Sequence, residues 1–468
     1  MHPLLEKDKN SYKEILSATA HVSAQHLETQ ARQAPGKFIP NIEMQSLPTE
    51  GLGASRTIDF FEKHYAEHVA ATAGPRYFGF VTGGSTPASI AGDWLVSAFD
   101  QNACGSNDSI APQIEKQTIH FFKQMFGLDA AYFGTFVTGA TMSNFVSLAQ
   151  ARQWIGEQHG MDFSEDGIRN EELRVISATP HSSILKSLSM LGIGRKALMK
   201  VATLPGREAI DMQSLEKMLA EATRPVIVVA NVGTVNTVDF DDLAAIGKLK
   251  TRFKFWLHVD AAFGGFAALS PKYKHLVDGI NYADSITIDA HKWLNVPYDA
   301  AMQFTRHQKI QLKIFQNSAA YLGDPEKSPD YFHYTPENSR RWRALPSWFT
   351  LMAYGIDGHR EIVERNCKLA MMLGNALSKS SSFTLLAPVR MNVVCFTLAD
   401  QEVSFDHVQR FLKMVRDDGR VFFTPTLLWG KPAIRAAISN WQTEEHDIAV
   451  AIDVLESIAK KMRNELVE

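Results

Sequence analysis

The chain has 468 residues, 45% of them hydrophobic and 21% charged, with a formal net charge of −3. That length exceeds one compact core, so two or three domains are expected. The near-neutral balance gives no reason to expect nucleic acid or a charged membrane surface as partner. Three distant cysteines, Cys104, Cys367 and Cys395, form neither a metal-ligand spacing nor a disulfide framework, which fits a reducing cytosol.

The amino-terminal residues contain no apolar run suited to a signal peptide. Apolar runs such as 226–230 are far shorter than the roughly 20 residues that span a bilayer. A cytoplasmic protein without a membrane segment is expected. Residues 1–73 read as helical and carry no obvious chemistry, with His64, Tyr65, His68 and Val69 expected on one amphipathic face. Gly74-Pro75 then punctuates the chain.

Residues 74–350 hold the strongest pattern. Seven candidate strands (131–137, 173–178, 197–202, 225–231, 255–260, 285–289 and 301–305) alternate with helical stretches such as 142–157 and 214–221. Alternation of this kind predicts an α/β domain with a mainly parallel seven-stranded sheet. Apolar runs without polar alternation suit strands covered on both faces. Residues 351–468 read as a smaller α+β domain. A long helix leads into it, 391–398 is a strand, and 443–463 is a closing helix.

Four strand ends carry chemistry. Ligands of open α/β sheets bind at the carboxyl ends of the strands. Lys292, in Ser285-Ile-Thr-Ile-Asp-Ala-His-Lys292, stands just past a buried-looking strand. Desolvation there is expected to lower its pKa and free the amine for carbonyl chemistry. Taken alone, such a lysine reads better as a surface loop residue. Asp260 ends an apolar strand, where an unpaired carboxylate is costly; a protonated pyridine nitrogen would satisfy it. Ala262 is small enough to let a flat ring approach. Thr138, Ala140 and Thr141 open a helix after a glycine turn, a place suited to phosphate, though also to a plain N-cap. His181 ends a further strand and could stack on a ring. The joint order, phosphate turn, His, Asp, then Lys, points to pyridoxal phosphate, an electron-sink cofactor.

These residues resemble the PLP-dependent group II amino-acid decarboxylases, the family of aromatic-L-amino-acid, glutamate and cysteine sulfinate decarboxylases. The most specific parts are His258-Val-Asp-Ala-Ala262 and His291-Lys-Trp-Leu294. The resemblance implies PLP-dependent transferase fold type I, like aspartate aminotransferase, and a homodimer with active sites at the interface. It implies that Lys292 carries the cofactor as a Schiff base and that Asp260 pairs with its ring nitrogen. His181 would stack on the ring, Ala140 and Thr141 would hold the phosphate with His291 nearby, and Thr82 would line the substrate pocket. Tyr321, followed by Leu322, matches a mobile-loop tyrosine that protonates the substrate α-carbon after CO₂ leaves. Arg340 matches a family motif and is expected near the substrate carboxylate or in an ion pair.

Two positions depart from the family. Val235 stands where many members carry a threonine, so Thr234 or Asn236 would have to meet the cofactor's phenolic oxygen. Asp289 stands where some members have asparagine near the phosphate, and a carboxylate there repels phosphate unless turned away or neutralised. The substrate stays open between acidic and aromatic amino acids; the segment 103–109 is small and polar. Rival readings are an aminotransferase, in which Arg435 would clamp the α-carboxylate, a carbon–carbon lyase, decarboxylation coupled to oxidative deamination, and a binding protein without turnover.

Overall fold

Seven strands form one sheet in the order β1-β7-β6-β5-β4-β2-β3. They are β1 (Phe133–Val137), β2 (Val175–Ser177), β3 (Leu198–Lys200), β4 (Val226–Asn231), β5 (Phe255–Asp260), β6 (Ser285–Asp289) and β7 (Ala301–Thr305). Only β7 runs against its neighbours; the other pairings are parallel. All seven lie within the stretches expected from sequence. The computed structural model describes residues 1–468 except 37, 38, 40, 103, 104, 106–108, 169–171, 318–329, 400, 401 and 466–468.

Every residue of β4, β5 and β6 is buried, because helices cover both faces of the sheet. A polar side chain at the end of such a strand has no bulk water, so each one needs a partner. That requirement makes the strand ends the informative positions.

The helices in chain order are α1 (Pro3–Lys9), α2 (Tyr12–Thr29), α3 (Ala54–His64), α4 (Pro87–Phe99), α5 (Ala111–Phe126), α6 (Ala140–Gln158), α7 (Phe163–Asp166) and α8 (Ser182–Met190). They continue with α9 (Met212–Glu221), α10 (Leu243–Leu249), α11 (Gln308–Phe315), α12 (Ala344–Lys379), α13 (Phe405–Asp418) and α14 (Glu445–Asn464). Helix α12 breaks at Gly355, whose φ of 59° lies in the left-handed region, and its second half leads into a four-stranded antiparallel sheet. That sheet has the order β10-β11-β9-β8, from β8 (Phe383–Leu385), β9 (Val393–Leu398), β10 (Thr424–Leu428) and β11 (Lys431–Ala437). Phe383, Phe396, Phe411 and Phe423 pack a separate core between this sheet, α13 and α14.

The amino-terminal segment departs from expectation. Helix α3 stops at His64, and Ala66–His68 is a tight 3₁₀ turn, so His64, Tyr65, His68 and Val69 do not share one helix face. The Phe60 ring lies 4.4 Å from His64 and 5.9 Å from Tyr65, a local cluster that forms where the helix ends. Helices α1, α2 and α3 bury no residue at all. Among the described residues, no helix is long and apolar enough to cross a membrane, and no cluster of His, Cys, Asp or Glu could hold a metal ion.

Candidate active site

The carboxyl ends of β4, β5 and β6 open into a cavity of about 450 Å³. Thr82, Ala140, His181, Thr234, Asp260, Ala262, His291 and Lys292 all line it. Residues distant in sequence therefore meet at one place, as the strand-end reading expected. Thr138 and Thr141 lie beside Ala140 but are not among the lining residues. Tyr321 lies outside the described residues, as does most of the 103–109 segment.

Close backbone contact builds the cavity floor. The segment around Gly83 crosses the Lys292 carbonyl so tightly that a Cβ on Gly83 would sit 1.6 Å from that oxygen. Only glycine permits this approach. The Thr86 N–H donates to the Asn295 carbonyl at 2.9 Å and fixes the same crossing.

Asp260 is held by a directional hydrogen-bond chain. The Trp256 indole can only donate, and it donates to Ser285 Oγ at 2.9 Å. Asn144 Oδ1 can only accept, so His258 Nε2–H donates to it at 2.9 Å, and the bare Nδ1 of the neutral ring accepts from Ser285 Oγ–H at 2.9 Å. The Asn144 carboxamide then donates to Asp260 Oδ2 at 3.1 Å and to Ser183 Oγ at 3.0 Å. Ser183 in turn donates to His181 Nδ1 at 2.8 Å, which leaves the His181 proton on Nε2. Burial pushes the His258 pKa down to about 4, so this ring is neutral. Desolvation also lowers the His181 pKa, against the pull of Asp260. Neither Asn144 nor His258 was singled out from sequence. Their role depends on α6 meeting β5, which no local motif reveals.

Lys292 behaves differently from the sequence expectation. Burial pushes its pKa down, but Asp289, by charge and hydrogen bond, together with Asp260 and Tyr298 raises it overall. Lys292 Nζ lies 2.9 Å from Asp289 Oδ2. The other Asp289 oxygen accepts the Ala140 N–H at 2.8 Å, at the start of α6, and His291 Nε2 stands 3.5 Å from it. The carboxylate is thus neutralised by Lys292 and by the positive end of a helix.

The structure narrows the expectation for Arg340 to its ion-pair form and changes those for Thr234 and Asn236. Arg340 is not among the cavity-lining residues: its guanidinium is 2.9 Å from Glu115 Oε1 in an ion pair buried on both sides, and it donates to the Phe136 carbonyl at 2.7 Å. Thr234 lines the cavity, but its hydroxyl donates to Glu208 Oε2 at 2.6 Å. Asn236 bridges to the small sheet, donating to the Leu427 carbonyl at 3.2 Å and accepting from Thr426 Oγ1 at 2.8 Å. The cavity's guanidinium is instead Arg435 on β11, whose Nη1 donates to the Val235 carbonyl at 3.2 Å. Among the described residues its buried Nε has no partner. Tyr77, Phe80, Phe263 and Tyr298 complete an aromatic wall.

The donor set fits pyridoxal phosphate. It offers an amine, a carboxylate in a fixed network and a neutral imidazole. Gly139 at the head of α6 keeps the cradle open: a Cβ there would lie 3.2 Å from His291 Cε1 and 3.9 Å from Asp289 Oδ1. The discordant member is Asp289, which already holds the Ala140 amide that a phosphate would seek.

Comparison with known proteins agrees. Residues 35–399 match the family model described as the pyridoxal-dependent decarboxylase conserved domain. The chain is similar to the aromatic-L-amino-acid decarboxylase of Bacillus atrophaeus, with 26% identity over 89% of this chain and 88% of that protein. It is also similar to tyrosine decarboxylase 4 of Petroselinum crispum, with 25% identity over 97% and 88%. Among solved structures, Oryza sativa TDC with PLP and tryptamine superposes with a TM-score of 0.88 at 21% identity, over 97% of this chain and 98% of that one. Mouse CSAD gives 0.85 at 21% identity, over 97% and 99%. These two likenesses establish the fold, type I of the PLP enzymes.

Proposed function

The chain belongs to the pyridoxal-dependent decarboxylase family, and from that membership we propose how its own residues carry out PLP-dependent decarboxylation of an L-amino acid. When bound, pyridoxal phosphate supplies a protonated pyridine ring that takes up the electron pair released as CO₂ leaves. Lys292 would attach it covalently. Asp260 would hold the proton on its ring nitrogen, and Ala140, with neighbouring Thr138 and Thr141, would face its phosphate from the start of α6. His181, neutral and with its proton on Nε2, would cover the ring and orient the substrate. Thr82 and Arg435 would meet the substrate. Tyr321 is assigned the proton that replaces CO₂ on the α-carbon.

The substrate we assign is an aromatic L-amino acid. The carrying observation is the wall of Tyr77, Phe80, Phe263 and Tyr298, which offers ring faces to a flat side chain. The named activities of the bacterial and plant relatives agree with it. An acidic side chain is the second reading, favoured by the Arg435 guanidinium in the cavity, which would take the side-chain carboxylate. A screen of purified, PLP-loaded protein against tryptophan, tyrosine, phenylalanine, glutamate and cysteine sulfinate decides between them, with CO₂ and amine measured together. Turnover of the acidic pair alone would overturn the aromatic assignment.

The working unit we propose is a cytoplasmic homodimer with active sites at the interface, in which residues 1–73 wrap the partner, 74–350 bind the cofactor and 351–468 form the small domain. Helices α1 to α3 bury nothing by themselves, and Leu5, Tyr12, Leu16 and Phe61 are exposed. Trp94, Phe99, Met352 and Tyr354 on α4 and α12 are exposed as well. Apolar surface of this extent calls for a covering partner. Sedimentation of the purified protein at 52.2 kDa, rather than twice that mass, would contradict the dimer.

A further inference from the structure

The residues expected to meet the cofactor's phenolic oxygen are unable to do so. Val235 has no donor. The Thr234 hydroxyl gives its hydrogen to Glu208, and Asn236 is tied to Leu427 and Thr426 and is not among the residues that line the cavity. A phenolate oxygen whose only donor is the proton it shares with the lysine nitrogen is poorly satisfied in a desolvated cleft, which calls for a second donor from the protein.

Asn231 is the amide in position. It ends β4 in register with Asp260 on β5, lines the cavity and is 4% exposed. Its backbone N–H donates to Asp241 Oδ2 at 2.7 Å. Its side-chain Nδ2 reaches the same oxygen only at 3.5 Å, the outer limit of a hydrogen bond. A carboxamide nitrogen carries two hydrogens, so at least one remains for the cavity.

Sheet order gives the direction. Asp260 takes the ring nitrogen and Lys292 the opposite carbon, which leaves two edges of the ring, one bearing the phosphate arm and the other the phenolic oxygen. Ala140 and Asp289 mark the phosphate side, and Asp289 ends β6, on one flank of β5. The phenolic edge therefore faces the other flank, which is β4 and ends in Asn231.

We propose that Asn231 is the hydrogen-bond donor to the cofactor's phenolic oxygen and sets the protonation of the Lys292 linkage beside it. This rests on the assignment of Lys292 and Asp260 given above. A donor at that oxygen stabilises its negative charge and weakens its hold on the proton shared with the lysine nitrogen. Removing the donor strengthens that hold.

The test compares Asn231→Val with Asn231→Thr, two side chains of one shape that differ in a hydroxyl. Each holoenzyme is titrated from acid to alkaline pH by the visible absorbance of the lysine-bound cofactor. Asn231→Val is expected to raise the midpoint by about one pH unit or more, and Asn231→Thr by less. Equal midpoints in the two variants, or a Val midpoint at the wild-type value, would overturn the proposal. Absence of any band in wild-type protein that is lost in Lys292→Ala would instead overturn the cofactor assignment, so the two failures are distinct.

Discussion

The Asn144 carboxamide donates to Asp260 Oδ2 over 3.1 Å while accepting from His258 at 2.9 Å. One amide thereby aims the carboxylate and, through Ser183, fixes the tautomer of His181. Hydrogen bonds to charged groups are worth about 1.5–3 kcal/mol. Asn144→Ala is therefore expected to weaken PLP binding by roughly tenfold or more, read as a dissociation constant by absorbance. Unchanged affinity in a folded variant would remove Asn144 from the account.

The same network makes stability depend on pH. His258 titrates near 4 in the folded protein and near 6.5 unfolded. Between those values the unfolded chain binds a proton that the folded one refuses. Stability is then full above about pH 6.5 and is lost as the pH falls toward 4, by on the order of 3 kcal/mol from this group. His359, also buried and pushed down to about 4, acts in the same direction. Urea unfolding at pH 7.5 and pH 5 should show a smaller acid loss for His258→Asn than for wild type. Equal losses would mean that His258 does not contribute.

Asp289 faces the cradle meant for phosphate. Like charges about 4 Å apart repel by up to about 4 kcal/mol at an effective dielectric of 20. Lys292 and the head of α6 offset this while the lysine remains an ammonium, yet the lysine loses that role when it binds the cofactor. Asp289→Asn should tighten PLP binding by about tenfold or more. The check is PLP affinity by absorbance; weaker binding in the variant would show that the carboxylate supports the cofactor.

The two buried arginines should separate cleanly. Arg340 is committed to Glu115, and breaking a buried pair costs about 3–5 kcal/mol. Arg340→Met is expected to lower the urea midpoint. Arg435 lies in the cavity with an Nε that no described residue engages, and Arg435→Gln is expected to raise KM by roughly tenfold or more with little change in that midpoint. Paired urea and steady-state measurements check both, and the reverse pattern would restore Arg340 to the substrate pocket.

Much of this site is legible in the sequence because strand ends are local features. A buried run such as Phe255–Asp260 closing on a carboxylate, or Ser285–Asp289 closing just before Lys292, marks a polar group that needs a partner. Val226–Asn231 also closes on a polar group, yet Asn231 is not among the residues expected from sequence, because its meaning emerges only once β4 is seen beside β5. What escapes is long-range pairing. Asn144 and His258 are 114 residues apart, and Arg340 and Glu115 are 225 apart. Motif spacing carries no information about such pairs. The Lys292 pKa runs opposite to the sequence expectation for a related reason: burial is visible in the sequence, but the Asp289 carboxylate turned toward the amine is not.

The most direct test is CO₂ release by PLP-loaded wild-type protein and by Lys292→Ala, measured with the amino acid that the screen identifies and with amine followed in parallel. Equal amounts of CO₂ and amine from wild type, and neither from Lys292→Ala, are the predicted result. Undiminished CO₂ from Lys292→Ala, or a keto acid without CO₂ from wild type, would contradict the assignment of this site to amino-acid decarboxylation through Lys292.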